Sequence, residues 1–331
     1  MRDLFNERLE IILYVTYKKS QAPIGGLIEL RNGDAMTENI DQIRGFWVAT
    51  TTPLSADGSV DHASLARHVL GLFAQGVDGA VIFGTTGEGT SFSAAERIAT
   101  IEALLKAGVA PSRIGLGGGF PALTDTIAMT RSALGLGLTH VLMLPPYFYR
   151  DVTPDGIEDA FAAILDGVAD DRLRTTLYNI PQVSGVGVPA AVAAKLRARY
   201  GKIVAGVKDS SADFKQFQAY RAAAPDLAVT VGNEADIARA IAEGGAGTIC
   251  GMANIACGLV QEMLRGPGAE ARMKAATAVV ASHPFVPALK AILAAQTGDA
   301  GWLRVRAPLR PWSDGVALKA QLEAASRLAA A

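Results

Sequence analysis

Gly45-Phe-Trp-Val-Ala-Thr-Thr-Thr-Pro53 is the stretch that decides the fold. A β-rich run ends there in threonines and a proline, where a doubly wound dinucleotide-binding sheet would carry a glycine fingerprint after its first strand. Downstream, short β-rich runs alternate with Ala/Leu-rich segments of helical period, at the spacing of βα units. The candidate strands are Phe46 to Thr51, Ala80 to Gly84, Ile114 to Gly118, Val141 to Leu144, Thr175 to Asn179, Ile203 to Lys208, Ala228 to Gly232 and Gly247 to Gly251. Helix entry signals fall between them: Asp61, the capping box of Ser93 with Glu96, and Pro154 and Pro189 near first-turn positions. Eight such units in one continuous domain are what a closed barrel needs, and an open sheet more often has fewer strands. The predicted fold class is α/β: a (β/α)8 TIM barrel over 45–266. A helical C-terminal appendage follows over 267–331, broken at Arg306-Ala-Pro-Leu-Arg-Pro311.

The chain has 331 residues, a formal net charge of -1 and 50% apolar residues, so it can bury one large core and has no general attraction to nucleic acid. Its two cysteines, Cys250 and Cys257, lie in a Gly/Ala-rich stretch without zinc-type spacing and read as small buried side chains in a reducing cytoplasm. No apolar run reaches membrane-spanning length; Ile11 to Tyr17 is short and follows Arg8 and Glu10, unlike a signal peptide. Residues 1–44 do not share the alternation, and Met36 stands just before the first convincing strand. They read as an extension, not necessarily native, without recognisable chemistry.

In a barrel of this kind the reactive groups sit at the C-terminal ends of the strands. Strand two ends in Gly84-Thr-Thr-Gly-Glu-Gly89, strand four in Pro145-Pro-Tyr147, strand five in Tyr178-Asn179, strand six in Lys208-Asp-Ser210, strand seven in Gly232-Asn-Glu234 and strand eight in Gly251-Met-Ala-Asn254. Lys208 carries the most information. A lone ammonium closing a buried strand is poorly solvated, and a neutral amine attacks carbonyls, which points to Schiff-base chemistry. A snorkelling lysine in a surface ion pair is the structural alternative. Tyr178 closes the neighbouring strand, where its phenol can shuttle protons; the alternative is a core tyrosine. Glycines around Thr85 and Thr86 let backbone amides and two hydroxyls approach a small anion such as a carboxylate. Phosphate fits poorly, because Gly117-Gly-Gly119 and the loops after strands seven and eight bring no cation. The four histidines, His62, His68, His140 and His283, share no metal spacing with carboxylates.

These motifs together resemble the class I pyruvate-dependent lyases typified by dihydrodipicolinate synthase and N-acetylneuraminate lyase, across roughly Gly45 to Pro311. The residues that carry the resemblance are Gly84-Thr-Thr-Gly-Glu88, Pro146-Tyr147, Tyr178-Asn-Ile-Pro181 with Ser184-Gly-Val186, Gly206-Val-Lys208, and Gly247-Thr-Ile-Cys250 leading to Asn254. The resemblance implies that Lys208 forms an imine with pyruvate or the 2-keto end of a longer acid. Tyr178 would be general acid/base, Thr85 part of a proton relay, and Thr86 the holder of the keto-acid carboxylate. The main-chain carbonyl of Ile249, with Gly232, Glu234, Ser210, Val183 and Tyr147, would complete the substrate pocket. It implies no cofactor, no metal, a small keto acid as partner, no membrane, and a homotetramer built as a dimer of dimers.

Departures from the pattern bear on the substrate. Synthases of the lysine pathway place an arginine five residues after the motif tyrosine, and this chain has Val183. A valine cannot clamp a carboxylate. Phe148 stands where the synthases have a second, relay tyrosine, and Tyr149 offers the nearest replacement hydroxyl. The acidic pair of the sialic acid lyase aligns with Glu234 and Ala235, of which one is acidic. The preferred reading is an aldolase or lyase, with a dehydratase as close variant, acting on a keto-deoxy sugar acid or related 2-keto acid. A 4-hydroxy-tetrahydrodipicolinate synthase using pyruvate and aspartate semialdehyde is the alternative enzyme, and a keto-acid-binding module the non-enzymatic one.

Overall fold

All eight strands form and close on themselves. In the computed structural model, which describes residues 41–327, the strands are β1 (Gly45–Ala49), β2 (Gly79–Ile82), β3 (Ile114–Gly118), β4 (His140–Met143), β5 (Arg174–Asn179), β6 (Val204–Asp209), β7 (Ala228–Val231) and β8 (Gly247–Cys250). Each pairs in parallel with the next, and β8 returns to β1 at Gly45↔Gly247, giving a closed barrel. The expected extension lies outside the described residues except for 41–44.

Helices α1 (His62–Ala74), α2 (Ala94–Lys106), α3 (Leu123–Gly135), α4 (Pro154–Val168), α5 (Pro181–Ser184), α6 (Ala190–Tyr200), α7 (Phe214–Ala223), α8 (Ile237–Ala242) and α9 (Cys257–Arg265) follow the strands. The entry signals act as their chemistry requires. The Asp61 carboxylate accepts from Ser64 N, and Ser93 and Glu96 make a reciprocal capping box at α2. Pro154 opens α4 behind the Thr153 cap, and Pro189 is the cap residue of α6. Beyond the barrel, α10 (Glu270–Ala281), α11 (Phe285–Thr297) and α12 (Gly315–Ser326) pack together, with α11 buried from Val286 to Ala294. No single helix among the described residues is long and apolar enough to cross a membrane.

Two apolar layers follow from the alternation of strand side chains. Outward residues such as Val48, Ile82, Leu116 and Val207 join the large core under the helices. Inward residues Trp47, Ala49, Val81, Leu142, Tyr178 and Ile249 form a separate cluster inside the barrel. Trp47 fills the lower interior because Gly79 faces it: a Cβ there would lie 2.6 Å from the indole ring. With that end plugged, polar side chains gather at the opposite end, where the strands terminate.

Candidate active site

Register brings the two principal residues together. Tyr178 of β5 pairs with Lys208 of β6, which pairs in turn with Thr230 of β7, so all three point to one side of the sheet. Tyr178 belongs to the interior cluster, and that side is the barrel interior. Lys208 is 4% exposed, and its Nζ lies 4.4 Å from the centroid of the Tyr178 ring. Among the described residues it makes no ion pair. Gly232 gives it room: a Cβ at that position would stand 2.9 Å from Lys208 Cε and 2.0 Å from Ser210 Oγ.

The Tyr178 hydroxyl is 3.2 Å from Thr85 Oγ1, joining the strand-two loop to the lysine–tyrosine pair. Thr86, beside it, is buried against Gly251 at the end of β8. Glu234 is also buried, and its Oε1 accepts from Gly251 N at 3.1 Å and Met252 N at 3.0 Å. Burial pushes the Glu234 carboxyl up, while the Met252 amide and the charge of Lys208 pull the other way. Its carboxylate is thus committed to the strand-eight loop. Ile249 is fully buried inside the barrel. Asp209, next to Lys208, is held by Asn179 Nδ2 at 2.9 Å; burial pushes its carboxyl up, against the hydrogen bonds from Asn179 and Ser211.

A cavity of about 270 Å³ opens over this group, lined in part by Thr85, Tyr147, Tyr178 and Val183. Lys208 adjoins it through the Tyr178 ring and is not one of its lining residues; nor are Thr86, Ser210, Gly232, Glu234 and Ile249. Val183 lies on the short helix α5 and is 58% exposed. Phe148 and Tyr149 are 74% and 77% exposed, packed edge to face on each other, and Tyr149 does not line the cavity. Cys250 and Cys257 are free and buried.

Three features escaped the sequence reading. Lys290 on α11 forms a fully buried ion pair with Glu88, at 2.7 Å, and donates to Thr52 O at 2.8 Å. Arg306 N donates to the other Glu88 oxygen, and Thr52 Oγ1 donates to Gly87 O. The C-terminal helices thereby fasten the loop that carries Thr85 and Thr86. The third feature is Arg97, 2% exposed, in the cavity wall. Both cations left a trace: Lys290 is a single charge in the apolar run Phe285 to Leu293, and Arg97 sits on one helical stripe with Thr100, Ile101 and Leu104.

Comparison with known proteins identifies the family and the fold. A family model described as the dihydrodipicolinate synthetase family matches residues 42–300. An uncharacterized DapA-like lyase of Chloroflexus aurantiacus is 36% identical over 279 residues, covering 82% of this chain and 92% of that protein. A 4-hydroxy-tetrahydrodipicolinate synthase of Acidiphilium cryptum is 33% identical over 222 residues, covering 66% of this chain and 73% of its own length. Among solved structures, a dihydrodipicolinate synthase from Agrobacterium tumefaciens superposes with a TM-score of 0.82 at 32% identity, over 86% of this chain and all of the other. An N-acetylneuraminate lyase from Proteus mirabilis shares the fold at a TM-score of 0.73 and 24% identity, over 87% of this chain and 100% of its own.

Proposed function

The chain belongs to the dihydrodipicolinate synthetase family of lyases, and from that premise we propose that it forms an imine between Lys208 and a 2-keto acid and reversibly cleaves a C–C bond of that acid to give pyruvate and an aldehyde. The observation that carries the reading is the buried, carboxylate-free Lys208 amine against the ring of Tyr178, whose hydroxyl is bonded to Thr85. The amine adds to the keto carbon and water leaves. The cationic imine then accepts the electron pair of the breaking C–C bond, and the enamine that results is protonated before hydrolysis. Tyr178 moves the protons and Thr85 holds its phenol. Thr86 with the loop amides receives the keto-acid carboxylate, and Gly232, Ser210, Glu234, the Ile249 carbonyl, Val183 and Tyr147 shape the rest of the pocket.

Val183 favours a keto-deoxy sugar acid or related 2-keto acid over aspartate semialdehyde as co-substrate, because no cation stands where a synthase needs one. The names of several relatives support the synthase as second reading. In this proposal the barrel over 45–266 supplies the reacting groups and the helices over 267–331 fix the strand-two loop. The exposed pair Phe148 and Tyr149 supports assembly as a homotetramer, and the free cysteines suit a cytoplasmic enzyme. Incubation with pyruvate and borohydride, followed by intact mass and peptide mapping, tests the imine. Attachment at Lys208 is expected, and absence of an adduct from folded protein overturns the reading in favour of a binding module. Product analysis separates aldolase from dehydratase, since pyruvate appears only from the former, and cyclised product from aspartate semialdehyde would establish the synthase.

A further inference from the structure

Among the described residues, Arg97 is the single charged one in the wall of the 270 Å³ cavity, which it shares with Thr85 and Tyr178. It projects from the first turn of α2 and is almost wholly buried. Its guanidinium is held by main-chain carbonyls: Nη1 donates to Gly117 O at 3.0 Å, Nε to Phe92 O at 3.3 Å, and Nη2 to Gly89 O. The Phe120 ring lies 4.5 Å from its central carbon. Among the described residues no carboxylate pairs with it. Burial pulls Arg97 down to about 10, which leaves it a cation at neutral pH.

A buried cation without a counter-charge is costly, and three neutral carbonyls do not cancel a formal charge. The acidic group that acts on it is the phenol of Tyr147, which burial pushes up against the pull of Arg97, so it stays neutral. Three of the five guanidinium N–H groups are engaged and two remain. The other polar groups of the wall, Thr85, Thr90, Ser184 and the two phenols, are uncharged hydroxyls. Val183 adds no second cation at the mouth. A negative charge that entered the cavity would meet this cation.

We propose that Arg97 recognises a second carboxylate, borne on the end of the substrate remote from its keto group, so that the preferred substrates are dicarboxylic 2-keto acids. The inference rests on the imine reading above, because it takes the cavity beside Tyr178 as the space for the remote end of the substrate. It narrows the substrate class that Val183 leaves open: the remote anion is met from α2, which carries Arg97, and not from α5, which carries Val183.

The test compares 4-hydroxy-2-keto acids matched in length and ending in carboxylate or carboxamide. Wild-type protein is expected to favour the carboxylate by about tenfold or more in kcat/KM, carried mainly by KM. Arg97→Gln and Thr90→Glu should each bring the ratio close to one. Thr90→Glu leaves the Arg97 main-chain bonds in place and adds a fixed carboxylate to the same wall, so it remains informative should Arg97→Gln fold poorly. Pyruvate trapping by borohydride at Lys208 should persist in Thr90→Glu, which separates this inference from the imine itself: an adduct without any carboxylate preference overturns only the role of Arg97. Glutarate added to the carboxamide substrate distinguishes the source of the anion. Competitive inhibition that is lost in Thr90→Glu supports a substrate-borne carboxylate, and a change in kcat without competition assigns the anion to a separate ligand and overturns the substrate assignment.

Discussion

Lys208 and Lys290 are both removed from solvent, at 4% and 0% exposure, yet only Lys290 has a carboxylate beside it. Lys290 touches Glu88 at 2.7 Å and Thr52 O at 2.8 Å. Burial pulls its ammonium down and the Glu88 carboxylate acts against that pull. Lys208 has an aromatic face at 4.4 Å and no ion pair with Glu234, whose Oε1 already accepts from two amides. A buried ion pair fixes a cation in place, while a buried amine with no carboxylate paired to it is left within reach of chemistry. The same residue type is therefore a fastener in the C-terminal helices and, in the function proposed above, a nucleophile in the barrel.

Exchanging each lysine for methionine probes the contrast most strongly. Lys208→Met should lose more than about 10³-fold in turnover and all borohydride adduct, with stability to urea unchanged or raised, because a buried polar group without an ion-pair partner is removed. Adduct formation at another lysine would break the comparison. Lys290→Met should do the reverse. It leaves Glu88 buried without its cation, at a cost of about 3–5 kcal/mol in unfolding free energy. Lys290→Met with Glu88→Leu should be less destabilised than Lys290→Met alone, since the stranded carboxylate is gone; a double variant no better than the single one would show that the pair is not what secures the helix.

Between these extremes stands Thr85, which is exposed at the cavity and bonded to Tyr178. Thr85→Val deletes one hydrogen bond to the phenol and should lower turnover by about tenfold or less while leaving unfolding free energy unchanged. Steady-state kinetics beside urea titration reads both. A loss of stability instead would place Thr85 with the fastening network around Glu88 and not with the reacting group.

How far the sequence could be read follows the same division. Alternation of β-rich and helical runs is a local property, so all eight strands and the caps at Asp61 and Ser93 were legible, with strand limits displaced by at most two residues and those of β3 not at all. Lys208 and Tyr178 were legible as neighbours because each closes a strand and consecutive strands pair in order. The partners of Lys290 and Arg97 were not. The Lys290–Glu88 contact spans 202 positions, and no periodicity within either segment encodes it. The placement of Arg97 depends on the carbonyls that Gly89 and the end of β3 at Gly117 present, a tertiary property. Glu234 was expected in the substrate pocket from its strand-end position and the resemblance; that its Oε1 accepts from Gly251 N and Met252 N is a tertiary contact that position does not encode.

The smallest effect expected concerns Arg306, which joins a buried carboxylate to an exposed one. Its main-chain N–H donates to Glu88 Oε2 at 2.9 Å, and its guanidinium pairs with Glu96, itself part of the α2 capping box. The Arg306 hydrogen bond holds Glu96 down from 4.5 to about 2, with Ser93 assisting and partial burial opposing. A carboxyl depressed on folding contributes stability above its unfolded value and loses it as pH falls through the folded one. The Glu96 contribution should therefore be complete above pH 4.5 and disappear between there and about 2. With the Glu96 side chain 37% exposed, solvent screening keeps it modest. Urea titrations of wild-type and Glu96→Gln protein should differ by a small, constant amount at neutral pH and converge across that acid window, the gap shrinking further in high salt. A gap that stays constant to pH 2 would mean that the cap, rather than the ion pair, supplies the stability, and the buried Glu88–Lys290 contact would then secure this segment without help from the surface.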